Sequence, residues 1–74
     1  MISGMLWYDN DQKKDINSKI LTAVNYYKNK YGAEPNYCLL NSKTGSLQDI
    51  NIENINIAIS DSILIHHFLI GKDD

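Results

Sequence analysis

Between Gln12 and Tyr31 the apolar positions recur every three or four residues. Ile16, Ile20, Ala23, Val24, Tyr27 and Tyr31 form one stripe of a helix. Asp9, Asn10 and Asp11 are candidate N-caps, and their charge suits the helix N-terminus. Lys28 and Lys30 suit the other end, Gly32 stands where a left-handed stop is expected, and Pro35 prevents continuation. After the helix the period shortens. Asn36 to Asn41 reads as a strand carrying Tyr37, Cys38, Leu39 and Leu40, followed by a polar loop from Ser42 to Ser46. Leu47 to Ile52 fits a helical turn and a short strand equally. A shift in apolar parity places a turn or bulge at Glu53-Asn54. Ile55, Ile57 and Ile59 then alternate with Asn56, Ala58 and Ser60, as in a strand buried on one face. Ser60-Asp61-Ser62 is turn chemistry, and Ile63 to Ile70 reads as the last strand, stopped by Gly71 and a charged tail. Met5 to Tyr8 is a candidate further strand.

These elements predict an α+β fold with a single domain over residues 1–74. It is a two-layer sandwich, one amphipathic helix on a three- or four-stranded, mostly antiparallel sheet. One helix covers one face, yet the strand at 63 to 70 is apolar on both. Ile63, Ile65 and Leu69 lie on one side, Leu64, Phe68 and Ile70 on the other. Strands of that kind are normally buried on both faces. Only the stretch from Met1 to Tyr8, with Leu6, Trp7 and Tyr8, is available to fold across the second face. A chain this short buries only about 60% of its unfolded surface, so an uncovered apolar face is expected to be an interface. The candidate interface residues are Trp7, Tyr8, Leu21, Tyr26, Leu64, Phe68 and Ile70, and the expected partner is a protein, with a homodimer as the simplest case.

Charge narrows the partner. All seven formal positive charges are lysines, there is no arginine, and the net charge is −2. Arginine is the usual fork for phosphates and guanine edges, so a nucleic-acid partner is disfavoured. Cys38 is the lone cysteine, which fits a reducing compartment, and no apolar run approaches the length of a membrane span. No positive charge precedes the short run Met5-Leu6-Trp7, as a signal peptide would need. A soluble cytoplasmic protein is the expectation.

The candidate chemistry is sparse. His66 and His67 are neighbours, so on a strand they point to opposite faces and cannot share a metal. A three-residue loop at Ser60 to Ser62 would pair Ile59 with Ile63 and Ile55 with His67, placing His67 on the isoleucine face. A two-residue loop would pair Ile57 with His66 and reverse the assignment. The first aligns the isoleucines of both strands and is preferred. Tyr37, Cys38 and His67 form the alternative, a small ligand-binding or catalytic site. Asp9 and Asp11 begin like a calcium loop, but Lys13 and Lys14 occupy the next ligand and glycine positions. Lys43-Thr44-Gly45 lacks both a nucleophile motif and phosphate-loop spacing. No cofactor is implied.

Three blocks, "LWYDND" at 6–11, "YYKNKYGAEPNYCLLN" at 26–41 and "HFLIG" at 67–71, resemble a set of small bacterial proteins of about this length, some encoded near phage or mobile-element genes. The resemblance implies a compact domain with a helix, a Tyr-Gly…Pro-Asn junction and a C-terminal strand. It brings no activity. His67 and Phe68 match that ending and His66 departs from it. A phage or mobile-element accessory or inhibitor protein is the role it suggests.

Overall fold

The computed structural model describes residues 2–73. Met1 and Asp74, the outer ends of the expected arm and charged tail, lie outside them. The chain forms β1 (Ile2–Tyr8), α1 (Ile16–Tyr31), β2 (Tyr37–Leu40), a 3-10 turn (Leu47–Asp49), β3 (Asn56–Ile59) and β4 (His67–Asp73). The sheet order is β1-β4-β2-β3, with β4 antiparallel to both neighbours and β2 parallel to β3. This is the expected α+β sandwich with four strands and a mostly antiparallel sheet. Met5 to Tyr8, the candidate further strand, is part of the edge strand β1 and does not cover the second face.

The helix starts later than its apolar period suggests, and local hydrogen bonds explain the delay. Asp9 accepts from the Asp11 amide at 3.0 Å and Asp11 from the Lys13 amide at 2.9 Å. These two successive Asx turns hold residues 9–13 out of the helix. The cap is Asp15, whose carboxylate accepts from the Ser18 amide at 2.8 Å. That bond holds its pKa below the ordinary carboxylate value. The other end is as expected: Gly32 has φ 67°, and its N–H donates to the Lys28 carbonyl at 2.8 Å.

The expected hairpin between the last two strands does not form. The Ser42 hydroxyl and amide donate to the Asp61 carboxylate at 2.7 and 3.1 Å. Asn41 Nδ2 donates to the Ile63 carbonyl at 2.9 Å, and the His66 amide to the Thr44 hydroxyl at 2.9 Å. These bonds fasten residues 60–66 to the loop after β2. The chain thus crosses the end of β2 and enters the middle of the sheet. Neither hairpin register applies, and Ile63 to His66 lie in the loop before β4 and not in a strand.

Paired residues share a face. The ranks Met5–Ile70–Cys38–Ile57 and Trp7–Phe68–Leu40–Ile59 therefore lie on one side of the sheet. Met5, Ile70, Cys38, Phe68 and Leu40 are buried there with Ile20, Ala23, Val24 and Tyr27 of α1. This is the core. Phe68 and Ile70 are fully buried, which corrects their expected place on an interface. The strand alternation was legible; the side that the helix covers was reversed.

One turn is strained. The His67 amide closes a turn on the Leu64 carbonyl at 3.1 Å, and His66 sits at its third position with φ 66°. That position favours glycine or asparagine. The His66 Nδ1 is also buried without a hydrogen-bond partner among the described residues. His66→Gly is expected to raise stability by up to about 1 kcal/mol, read as a higher urea midpoint with unchanged slope. A clear loss would mean that the imidazole packing outweighs the strain.

Candidate interaction face

The second side of the sheet is the candidate site. Leu6, Leu69, Leu39 and Ala58 form a rank that crosses all four strands, about 15 Å from end to end. Leu6 is 58% exposed, Ala58 is exposed, and Leu39 and Leu69 are half-buried. Among the described residues the helix and the core side chains all lie on the opposite side.

Aromatic residues flank this rank on both sides along the strand direction. At one end the Tyr8 ring, 55% exposed, stands 4.9 Å from the His67 ring at 52°. His67 Nδ1 is 2.9 Å from the Ile65 carbonyl, which fixes the imidazole. At the other end Gly4, Gly71 and Tyr37 form the next rank. A Cβ placed on Gly4 would come within 2.8 Å of the Tyr37 hydroxyl and 3.1 Å of Leu69. Tyr37 thus reaches across Gly71 to Gly4, which is why Gly71 is buried although it has no side chain. Burial, with repulsion from Tyr27 and Asp73, raises the Tyr37 pKa, so the phenol carries no charge at neutral pH. Among the described strand positions of this face from Gly4 onward, Asp73, at the far end of β4, is the one aspartate, and no glutamate or lysine occurs there.

The expected interface residues are dispersed. Tyr8 lies on the open face. Trp7 faces the helix, with its ring 4.9 Å from that of Tyr26. Leu21 and Tyr26 are each 48% exposed on α1, on the helix side of the molecule. Leu64 is exposed in the turn before β4. Leu6, Leu39 and Leu69, the centre of the open rank, were not among the expected residues. Their shared parity with Tyr8, Tyr37 and His67 was visible in the sequence. Which parity the helix covers depends on β4 lying between β1 and β2.

The three candidate ligand residues are not brought together. Tyr37 and His67 stand at opposite ends of the open face, about four residue steps or 13 Å apart along the strands. Cys38 points into the core. His67 lies with Tyr8 on the open face, which corrects the preferred register that placed it on the isoleucine face. No group of three or more His, Cys, Asp or Glu that could hold a metal occurs among the described residues. The groove between α1 and residues 52–55, lined by Leu21, Val24 and Ile52, has a volume of about 130 Å³. Ligand pockets usually begin near about 300 Å³. Two larger concavities, of about 270 and 380 Å³, are shallow and open to solvent, bounded by four and three residues.

Burial pushes the Cys38 thiol up to about 12 from an ordinary value near 9.0. The unfolded chain loses this proton first. The thiol's contribution to stability is therefore complete below about pH 9 and declines as pH rises towards 12. At about pH 10 the wild type is expected to lose stability that Cys38→Ala does not, at a slope of up to about 1.4 kcal/mol per pH unit. Urea midpoints of both proteins at neutral and alkaline pH measure the difference. Parallel losses would contradict the buried thiol.

No family model, curated protein or solved structure matches this chain. Among the described residues no helix is long and apolar enough to cross a membrane.

Proposed function

We propose that this chain is a small interaction protein that docks a protein surface on the open face of its sheet. The observation that carries this reading is the uncovered rank Leu6–Leu69–Leu39–Ala58, bounded by Tyr8 and Tyr37. Interface centres are depleted in charge and enriched in tyrosine, and this face has that composition. Its β-sheet base is rigid, so the leucines and tyrosines are held in place before a partner arrives, which lowers the ordering cost of binding. The partner would present a complementary apolar surface, and a second copy of the chain is one such surface.

The reading is compatible with a cytoplasmic accessory or inhibitor protein of a phage or mobile element. Such a protein would act by occupying a surface rather than by turning over a substrate. The rival reading, a ligand or catalytic site at Tyr37, Cys38 and His67, has less support because Cys38 lies on the other side of the sheet. The test compares immobilised wild type with a Leu39→Lys/Leu69→Glu variant in extracts of the source cells. A protein retained by the wild type and lost from the variant supports the reading. Equal retention by both opposes it.

A further inference from the structure

The outer edge of β1 has the features of a strand that pairs with a copy of itself. The Asp9 amide donates to the His66 carbonyl at 2.9 Å, which identifies Asp9 and His66 as a hydrogen-bonded pair of the β1–β4 ladder. In an antiparallel ladder bonded and non-bonded pairs alternate. Trp7, Met5 and Ser3 therefore spend their backbone groups on Phe68, Ile70 and Lys72. The other side of β4 agrees: the Gly71 carbonyl accepts from the Asn36 amide, next to β2, at 2.8 Å. The N–H and C=O groups of Ile2, Gly4, Leu6 and Tyr8 thus point away from the sheet. No strand among the described residues pairs with them.

Proteins usually protect such an edge with charge, proline, a bulge or short length. β1 has none of these. Its seven residues, ISGMLWY, carry no charge and no proline, and all pair with β4 in continuous register. The opposite edge, β3, has four residues.

We infer that two copies of this chain pair antiparallel through β1, about a two-fold axis that passes between Met5 and the partner's Met5. In this register Gly4 opposes the partner's Leu6, and Ile2 opposes the partner's Tyr8. Every outward group of the strand is then used, in about eight backbone hydrogen bonds. The strand is its own complement. No like charges meet across the axis, and the bulk of each Leu6 faces a glycine. An edge without charge offers a charged foreign strand nothing to recognise, so a second copy fits better than an acidic or basic segment. Pairing is isologous and closes, giving a dimer rather than a fibre. The two sheets become one of eight strands, with both helices on one side and both open faces joined on the other. The inference goes beyond the face reading, because the edge and not the face is consumed, and either can fail alone.

Backbone amide exchange of the 74-residue chain, compared at micromolar and millimolar concentration, tests the inference. The Gly4, Leu6 and Tyr8 amides are expected to slow by about tenfold at the higher concentration. The Met5 and Trp7 amides, already bonded to β4, should change far less. Light scattering adds two variants. Leu6→Pro removes one outward N–H, which an edge strand tolerates, and is expected to be monomeric where the wild type is dimeric. Leu39→Lys/Leu69→Glu changes the face alone and should remain dimeric. The edge proposal is overturned if the three outward amides exchange freely at millimolar concentration. A dimer lost in the face variant also overturns it. A wild type that stays monomeric removes the edge pairing and leaves the face reading standing. If circular dichroism finds Leu6→Pro unfolded, the wild-type exchange pattern decides the matter.

Discussion

Phe68→Ala is expected to remove about 3–5 kcal/mol of stability. Phe68 lies in the central strand, is fully buried, and pairs with Trp7 on one side and Leu40 on the other beneath α1. Truncation leaves a cavity walled by a sheet and a helix, which cannot collapse without moving one or the other. A chain of 74 residues typically has roughly 4–11 kcal/mol in total, so the variant should be partly unfolded or close to it at 25 °C. Urea unfolding followed by circular dichroism measures the change. A loss below about 1 kcal/mol would place Phe68 on the surface, as its sequence pattern first suggested, and would reverse the two faces of the sheet.

The same sheet gives the opposite expectation for its other side. Leu39 and Leu69 are direct cross-strand partners on the open face and are only half-buried. Leu39→Lys/Leu69→Glu places opposite charges at adjacent positions, where they can pair. The aliphatic stem of the lysine can lie along the face while its ammonium reaches water. The expected stability change is under about 1.5 kcal/mol, well below that of Phe68→Ala. Partner binding is expected to weaken by roughly a hundredfold, about 2.8 kcal/mol, because two central apolar anchors are lost and charges enter a desolvated patch. Calorimetric titration of wild type and variant with the captured partner measures the ratio. Folding that fails in the variant as badly as in Phe68→Ala would mean that these leucines belong to a covered core.

The contrast between those two sides also marks what the sequence could convey. The helix, its glycine stop, the strand at 37–40, the turn at Glu53-Asn54 and the two-layer class follow from short-range patterns, and the fold bears them out. The helix start was missed because Asp9, Asn10 and Asp11 precede Asp15 and each could cap. Choosing among them depends on the Asx turns at Asp9 and Asp11. The place of β4 was missed for a different reason. Ile63, Leu64 and Ile65 have strand-like side chains, but long-range bonds from Asn41, Ser42 and Thr44 hold residues 60–66 as a crossing loop. Those partners lie about twenty residues away in the chain, beyond the reach of any periodicity. Once β4 sits in the centre, the face with Phe68 and Ile70 goes to the helix and the face with His67 and Leu69 opens.

That inversion preserves the reason for expecting an interface while moving its residues. The two-sided apolar strand is real at Phe68 to Ile70, and one of its sides has no helix over it. Trp7, Phe68 and Ile70 pass to the core side, Tyr8 stays on the open face, and Leu6, Leu39 and Leu69 join it. His67 becomes a fixed neighbour of Tyr8 at the border of the face. The two histidines of residues 66 and 67 play separate parts, one at a strained turn and one beside the open rank.

The most direct test of the open face is a methyl NMR titration of the labelled chain with the partner captured by the wild type. The leucine methyls report on both sides of the molecule at once. Docking on the open sheet predicts that the Leu6, Leu39 and Leu69 signals shift or broaden in step with binding, while Leu21 on the helix and Leu40 in the core change little. Shifts confined to Leu21 and its neighbours, with Leu39 and Leu69 unmoved at saturation, would contradict it.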